Sequence, residues 1–350
     1  MRLGLLTGGG DCPGLNAVIR AVVTAGAVTH GDDCLGFLDG WRGLLEDRAR
    51  ALSPSDVEDL LPTGGTVLGT SRTNPFGTEG GAERVRATLE ARGVDALVAI
   101  GGEDTLGVAQ RLHAEQGVAV VGVPKTIDND LSGTEVTFGF NTAVQTATEA
   151  IDRLRTTAES HHRIIVCEVM GRHAGWIAAH AGIAGGAAEI LCPEVPFDVN
   201  FVCDRLRRRH QVGRYSSIVV VAEGAVPEEG PDADAFRAAT GSADADAFGH
   251  ARLGGVGAWL AEEIERRTGY ESRVTTLGHI QRGGSPTAFD RVLATRFGTG
   301  AVAAVHAGAW GTMVALQAGQ IVRVPLSEAV GTVKVLDLNL IAEVALPFLG

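Results

Sequence analysis

Short apolar runs of four to seven residues recur along the chain. They alternate with stretches whose apolar positions repeat every three or four residues. The first pattern suits strands buried on both faces of a sheet, and the second suits amphipathic helices. Leu3–Thr7 reads as a buried strand, followed by a glycine-rich turn and a helix from about Asn16 to Ala27. Leu97–Ile100 and Val118–Val123 read as further buried strands, each running into a loop with Gly or Pro; Gly107–Gln116 between them has helical spacing. Asn141–Glu159 predicts a long helix, with Ala143, Ala147, Ala150, Ile151 and Leu154 on one face. Arg163–Val169 and Ser217–Glu223 predict two more central strands, and Thr312–Pro325 has strand character that should finish a second domain. Strands alternating with helices predict an α/β fold: two Rossmann-like three-layer domains with mostly parallel sheets. In such folds ligands bind beyond the carboxyl ends of the strands.

Composition narrows what the chain can be. Its 350 residues match about two domains at roughly 150 residues each, and 45% apolar with 21% charged residues is an ordinary globular balance. A net charge of −12 argues against nucleic acid or an anionic membrane as the main partner. No apolar run reaches the ~18–20 residues that span a bilayer, and glycines arriving at Gly8 interrupt any signal-peptide core. Five scattered cysteines without Cys-x-x-Cys predict reduced thiols in a cytoplasmic setting. Val226–Ala247, acidic and alanine-rich, reads as a solvated loop or linker. The chain has 28 arginines and two lysines, Lys125 and Lys334, so a lysine is a departure from its usual basic residue.

Four loops carry candidate chemistry. Gly8-Gly9-Gly10-Asp11-Cys12-Pro13-Gly14 ends the first strand and opens a helix, which suits close backbone approach to an anion, with a tight turn in a glycine-rich chain as the lesser alternative. Its spacing is neither Walker A nor the dinucleotide fingerprint. In Gly64–Arg72, small residues, hydroxyls and a terminal Arg72 suit a phosphate path, because a guanidinium forks to two phosphate oxygens. Gly101–Gly107 places Glu103 and Asp104 side by side, which is costly unless a cation or phosphate-bound Mg2+ is near; Asp104 or Thr105 is also a candidate helix cap. Pro124–Asp130 sets Asp128 and Asp130 beside Lys125, a possible base, a supporting acid and a cation for developing charge. Met170–Gly175 and Gly278–Gly284, with Arg273 upstream, put His and Arg among glycines as phosphate contacts. The histidines lack zinc-ligand spacing, and His180 in its alanine-rich stretch reads as a packing residue.

GGGDCPGLN, GGTVLGTSR, GGEDTLG, PKTIDND, EVMGRHAGW and LGHIQRGGSP, in this order, resemble the 6-phosphofructokinase family from the first strand to about Arg291. The resemblance implies the phosphofructokinase fold and Mg2+-dependent phosphoryl transfer to the 1-hydroxyl of fructose 6-phosphate. It divides the chain into a donor domain, residues 1–140 with about 252–303, and a fructose 6-phosphate domain, about 141–251 with 304–350. It implies Asp128 as general base with Asp130 in support, and Thr126 at the acceptor end of the substrate beside Ile127. Gly10, Arg72 and Thr105 fall at donor positions, and Glu103 at the Mg2+-linked acid position, where Asp is commoner. Arg163, Met170, Gly171, Arg172, Glu223, Arg273, His279, Ile280, Gln281 and Arg282 match fructose 6-phosphate contacts. The equivalents of Arg163 and Arg273 reach a neighbouring subunit's site, which implies a homo-oligomer, dimer or tetramer.

Asp104 and Lys125 stand where ATP-using members usually carry Gly and pyrophosphate-using members carry Asp and Lys. A carboxylate at 104 fills the room of an α-phosphate and repels it, and an ammonium at 125 neutralises a short pyrophosphate. The donor reading is therefore pyrophosphate, with an ATP-dependent or dual-donor enzyme as the alternative. A non-catalytic sugar-phosphate sensor on the same fold, or a lipid or NAD kinase with a related acid loop, lies in other classes; Asp128, Arg172 and Arg282 argue against the first, and the PKTIDND and GHIQRGG pair against the second. Bacterial ATP-using members hold an effector with two basic residues one turn apart on the first helix, but here Arg20 is followed by Thr24. Kinetics in the sugar phosphate should be near-hyperbolic; a sigmoid abolished by ADP would contradict this.

Overall fold

The buried apolar runs form two sheets in the computed structural model, which describes residues 1–241 and 254–345. In chain order the strands are β1 (Arg2–Thr7), β2 (Asp33–Phe37), β3 (Ala49–Leu52), β4 (Ala96–Gly101), β5 (Val120–Thr126) and β6 (Phe138–Gly139). There follow β7 (Ile164–Val169), β8 (Glu189–Leu191), β9 (Ser217–Ala222), β10 (Ser272–Thr276), β11 (Thr312–Gln317) and β12 (Gln320–Pro325). The first sheet has the order β12-β11-β5-β4-β1-β2-β3, with β6 beside β5; only β12 and β3 run antiparallel to their neighbours. The second is β10-β7-β9-β8, parallel throughout. β4 and β7 are buried at every position, as strands covered on both faces must be. In the first core Leu97 and Ala99 pack with Leu106 and Leu112 of the Glu103–Gln116 helix; in the second, Val166 and Val219 pack with Leu206 and Leu260.

The two compact units comprise residues 1–142 with 282–333, and residues 143–241 with 254–281 and 334–345, among those described. This differs from the expected division in two segments. Thr312–Pro325 was expected to finish the second domain, yet β11 lies parallel to β5, pairing Met313 with Gly122, and adds its hairpin to the first sheet. Conversely, β10 pairs along its whole length with β7, and the Val256–Thr268 helix buries Trp259, Leu260 and Ile264 beside it. The expected linker Val226–Ala247 is not all loop. Pro231–Thr240 is a helix, with Pro231 in its first turn, Asp232 and Asp234 at its positive end and Ala233 buried; residues 242–247 lie outside the described residues. No helix among the described residues is long and apolar enough to cross a membrane.

One ion cluster fastens the start of the first unit. The Asp32 side chain is fully buried and lies 2.7 Å from His306 Nε2 and 3.0 Å from the Met1 α-ammonium, while the His30 ring stacks on His306 at 3.6 Å. Burial pushes the Asp32 carboxyl up, but the hydrogen bonds from His306 and the α-ammonium outweigh it and hold the group below the usual carboxylate range. A depressed carboxyl stabilises the fold above its unfolded pKa of about 3.9, and that contribution is lost as pH falls through the folded value. Asp32→Asn should therefore cost about 1–3 kcal/mol at neutral pH. Denaturant titrations at pH 7 and below pH 4 should show the difference from the parent shrinking in acid.

Candidate active site

In the first unit β5, β4 and β1 are neighbours and parallel, so their carboxyl ends lie side by side. β1 opens into Gly8–Gly14, β4 into the Glu103–Gln116 helix, and β5 into Ile127–Asp130. The Gly8 N–H donates to Ile100 O at 3.0 Å, carrying the β1–β4 pairing one residue beyond the strand. The carbonyls of the next three residues are all engaged. Thr70 Oγ1 donates to Gly9 O at 2.6 Å, Lys125 Nζ to Gly10 O at 2.5 Å, and Arg282 Nη1 to Asp11 O at 3.3 Å. A β-carbon at Gly10 would stand 2.6 Å from that guanidinium, so glycine is what admits Arg282 here.

Lys125 is 3% exposed. Burial pulls its ammonium below the usual lysine range; Cys12, Asp11 and Asp130 oppose the shift and Arg282 adds to it. Cys12 itself is buried, with its thiol pushed up to about 12, so it packs under the loop rather than reacting.

The Gly64–Arg72 loop is tied to the same end of the sheet. Asn16 Nδ2 donates to Thr63 O and Gly64 O at 3.1 Å each, and its Oδ1 accepts the Val67 N–H at 2.9 Å. Thr7 Oγ1 donates to Gly69 O at 2.8 Å, and Ser71 O accepts the Gly9 N–H, which leaves Arg72 exposed next to the donor loop. Glu103, exposed, and Asp104, half-buried, occupy the first turn of their helix, where the macrodipole favours carboxylates. The helix is capped at Gly102, so the expected side-chain cap from Asp104 or Thr105 is not used. Thr105 departs from its expected donor contact: it is 2% exposed, on the inward face with Leu106 and Ala109, wedged beneath Gly8.

Asp128 stands in a turn of local hydrogen bonds. Thr126 Oγ1 accepts the Asp128 N–H at 3.0 Å, and Asn129 adopts φ 53° with its Oδ1 accepting the Thr137 N–H at 3.0 Å. Thr137 Oγ1 donates to Thr126 O at 2.7 Å, and β6 pairs alongside Lys125 and Thr126. Asp128 and Asp130 are half-buried, whereas the Ile127 side chain is in the core, so only its backbone can face a substrate.

In the second unit β10, β7 and β9 end together. Leu277 N–H donates to Glu168 O, Glu223 N–H to Val169 O, and Gly224 N–H to Gly171 O, at 2.9, 2.8 and 3.1 Å. This collects Met170, Gly171, Arg172, Glu223, His279 and Ile280 at one end of the sheet. Gln281 is fully buried, its Nε2 on Gly278 O at 3.2 Å, so its side chain supports the turn. Arg163 and Arg273 lie at the opposite end, about 20 Å away along the six-residue β7. Glu271 bridges them, at 2.7 Å from Arg163 Nε and 2.5 Å from Arg273 Nη2. The hydrogen bond from Arg163 holds the Glu271 carboxyl below its usual range. Arg282 belongs to the first unit and rests on the donor loop, whereas the His279–Gln281 turn that precedes it in the chain is counted with the second unit.

Two acids escaped sequence reasoning. Glu194 accepts the Gly175 N–H with both oxygens, at 2.9 and 3.1 Å, and the Leu336 N–H at 2.8 Å, fixing the end of the Arg172 loop. Asp290 is buried and accepts from the Thr142 N–H and hydroxyl, at 2.7 and 2.5 Å, at the start of the Phe140–His161 helix. The Thr287-x-x-Asp290 spacing was the available signal for the second; nothing local marks the first.

A family model described as phosphofructokinase matches residues 2–305. A pyrophosphate–fructose 6-phosphate 1-phosphotransferase of Amycolatopsis methanolica is 63% identical over 334 residues, covering 95% of this chain and 96% of the relative. An ATP-dependent 6-phosphofructokinase of Corynebacterium efficiens is 52% identical over 335 residues, 95% of each chain. Among solved structures, Pichia pastoris phosphofructokinase in the T-state superposes with a TM-score of 0.83 and 33% identity over 94% of this chain, which spans 35% of that longer one.

The wedge beneath Gly8 is testable. A β-carbon there would stand 2.5 Å from Thr105 Oγ1 and 2.8 Å from its Cγ2. Gly8→Ala should destabilise by about 1–3 kcal/mol, and adding Thr105→Ala should restore part of that loss in thermal unfolding. Equal losses in the single and double variants would remove the contact from the account.

Proposed function

The chain belongs to the phosphofructokinase family, and from that membership we propose that it moves a phosphoryl group from pyrophosphate to the 1-hydroxyl of fructose 6-phosphate. Fructose 1,6-bisphosphate and inorganic phosphate are the products, and the reaction runs in both directions. The observation that carries the donor assignment is Lys125, buried and fastened to Gly10 O under the donor loop, with Asp104 on the first turn of the adjoining helix. The ammonium supplies charge to a short, compact anion, and the carboxylate disfavours the additional phosphate of a nucleotide.

Asp128 takes the proton of the 1-hydroxyl. The resulting alkoxide attacks phosphorus, the bridging P–O bond of pyrophosphate breaks, and inorganic phosphate leaves. Little covalent help is needed; alignment and charge neutralisation do most of the work. Lys125, Arg72 and the Gly8–Gly10 backbone serve the donor, and Thr126 and the Ile127 backbone the acceptor end. Met170, Gly171, Arg172, Glu223, His279 and Ile280 serve the sugar phosphate. Arg282, resting on the Gly10–Asp11 backbone, has the charge to hold phosphoryl oxygens.

The family points to a divalent cation, in this reading Mg2+. No three His, Cys, Asp or Glu side chains gather into a metal cage among the described residues. That fits Mg2+ held by one or two carboxylates with phosphate oxygens and water as its remaining ligands. Glu103 would hold it, and it would neutralise charge on the donor. Arg163 and Arg273, at the far end of their sheet from Arg172, are proposed to complete a neighbouring subunit's site in a homo-oligomer, dimer or tetramer. Five buried free thiols fit a reducing cytoplasmic compartment.

The ATP-dependent relative at 52% identity supplies the second reading. Assays with fructose 6-phosphate and Mg2+, comparing pyrophosphate with ATP, decide between them: turnover with pyrophosphate alone is expected, and turnover with ATP alone would overturn the donor assignment. Asp128→Asn should keep sugar-phosphate binding and lose roughly 10²–10⁴-fold in turnover; a rate within a few-fold of the parent would remove Asp128 from the role of base.

A further inference from the structure

Asn129 stands between Asp128 and Asp130, and none of the proposed roles uses it. Its backbone lies in the left-handed region, at φ 53°. The other non-glycine residues with positive φ among those described are Asp39, Asp47, His162 and Ala318. These are half-buried or exposed, whereas Asn129 is 2% exposed. A side chain in that region crowds its own backbone, and asparagine tolerates it better than most because its short amide bonds locally. At a buried position that amide must also find partners inside the protein.

It finds them at both of its ends. Oδ1 accepts the Thr137 N–H at 3.0 Å, and Nδ2 donates to Glu135 O at 3.4 Å. The two bonds have opposite sense, so an aspartate could make the first but would set a carboxylate against a carbonyl in the second. Thr137, fully buried, donates its hydroxyl to Thr126 O at 2.7 Å. One residue thus holds the chain on either side of Asp128, at Thr126 before it and at Asn129 after it. The clasp is itself braced against β11 and the turn that follows. Glu135 N–H donates to Leu316 O at 2.9 Å, Leu316 N–H to Thr134 Oγ1 at 3.0 Å, and Ala318 N–H to Glu135 Oε1 at 2.7 Å.

We propose, on the reading of Asp128 as general base, that Asn129 is the positioning residue of this turn: its left-handed backbone and its hold on Thr137 set the direction in which the Asp128 carboxylate meets the 1-hydroxyl. Proton transfer needs the two oxygens at hydrogen-bond distance, and a misplacement of about 1 Å costs on the order of 10²-fold in rate. Loss of the clasp should therefore cost turnover and spare affinity, because the arginines and histidine assigned to the phosphates lie on other loops.

A double-variant cycle on the full chain, with kcat and both KM values measured using the donor that the parent turns over, tests this. Alone, Asn129→Ala should lower kcat about 10–100-fold, with each KM within about three-fold of the parent's. In the Asp128→Asn background the same substitution should change kcat by less than about two-fold, since no base is left to aim. Asn129→Gly keeps the left-handed backbone without the amide and should recover part of the loss. Circular dichroism and thermal unfolding identify folded protein. Where Asn129→Ala does not fold, Asn129→Gly and Thr137→Val carry the cycle, each expected to lower kcat only while Asp128 is present. Losses that multiply across the two backgrounds, a parental kcat in the folded variants, or a loss confined to KM would each overturn the proposal and leave Asp128 as the base. A parental rate in Asp128→Asn alone would overturn the reading of the base, and the proposal with it.

Discussion

A buried ammonium must find its acceptors inside the protein, because water is not there to supply them. Lys125 satisfies that requirement with Gly10 O, and the arrangement of the donor side follows from it. The bond ties the end of β5 to the loop after β1, with β4 between the two strands. From β4, Thr105 fills the space below Gly8, which glycine alone leaves open. Arg282 and Thr70 take the flanking carbonyls, so this loop is stapled at three successive residues rather than held by its own hydrogen bonds. Such bracing is how a flexible, glycine-rich segment can present a fixed geometry to an anion.

The second unit reaches order by a different route. Its loops extend the ladder of parallel strands by single backbone hydrogen bonds, and a lone carboxylate, Glu194, closes the Arg172 loop. The two arginines at the other end of the sheet share Glu271, and Arg273 also meets Glu265 at 3.5 Å.

Much of this was legible in the chain itself. Parallel-sheet strands buried on both faces announce themselves as apolar runs, and the glycine, acid and basic residues that follow them mark the loops where ligands bind. What stayed hidden depended on pairing at a distance. Thr312–Pro325 reads clearly as strand, but nothing local says that the open edge of β5, rather than the second sheet, receives it. Pro231–Thr240 hides behind a surplus of acid and proline that its helix start puts to use. Thr105, Ile127 and Gln281 sit within motifs that suggest contact with a ligand, and only their burial assigns the side chains to the framework. Single acids such as Glu194 leave no periodic trace.

The scarcity of lysine has a practical consequence. The chain's two lysines fall one in each unit, Lys125 beneath the donor loop and Lys334 with its ammonium 5.3 Å from the Trp176 ring. Isotopic labelling of lysine alone therefore installs one magnetic reporter per unit without any substitution. Lys125 would carry the signature of burial against a carbonyl, and Lys334 that of an indole ring current. A 36.3 kDa chain crowded in most spectra would give two side-chain signals, each assignable by its environment. Occupancy of either unit could then be followed separately, in the same sample.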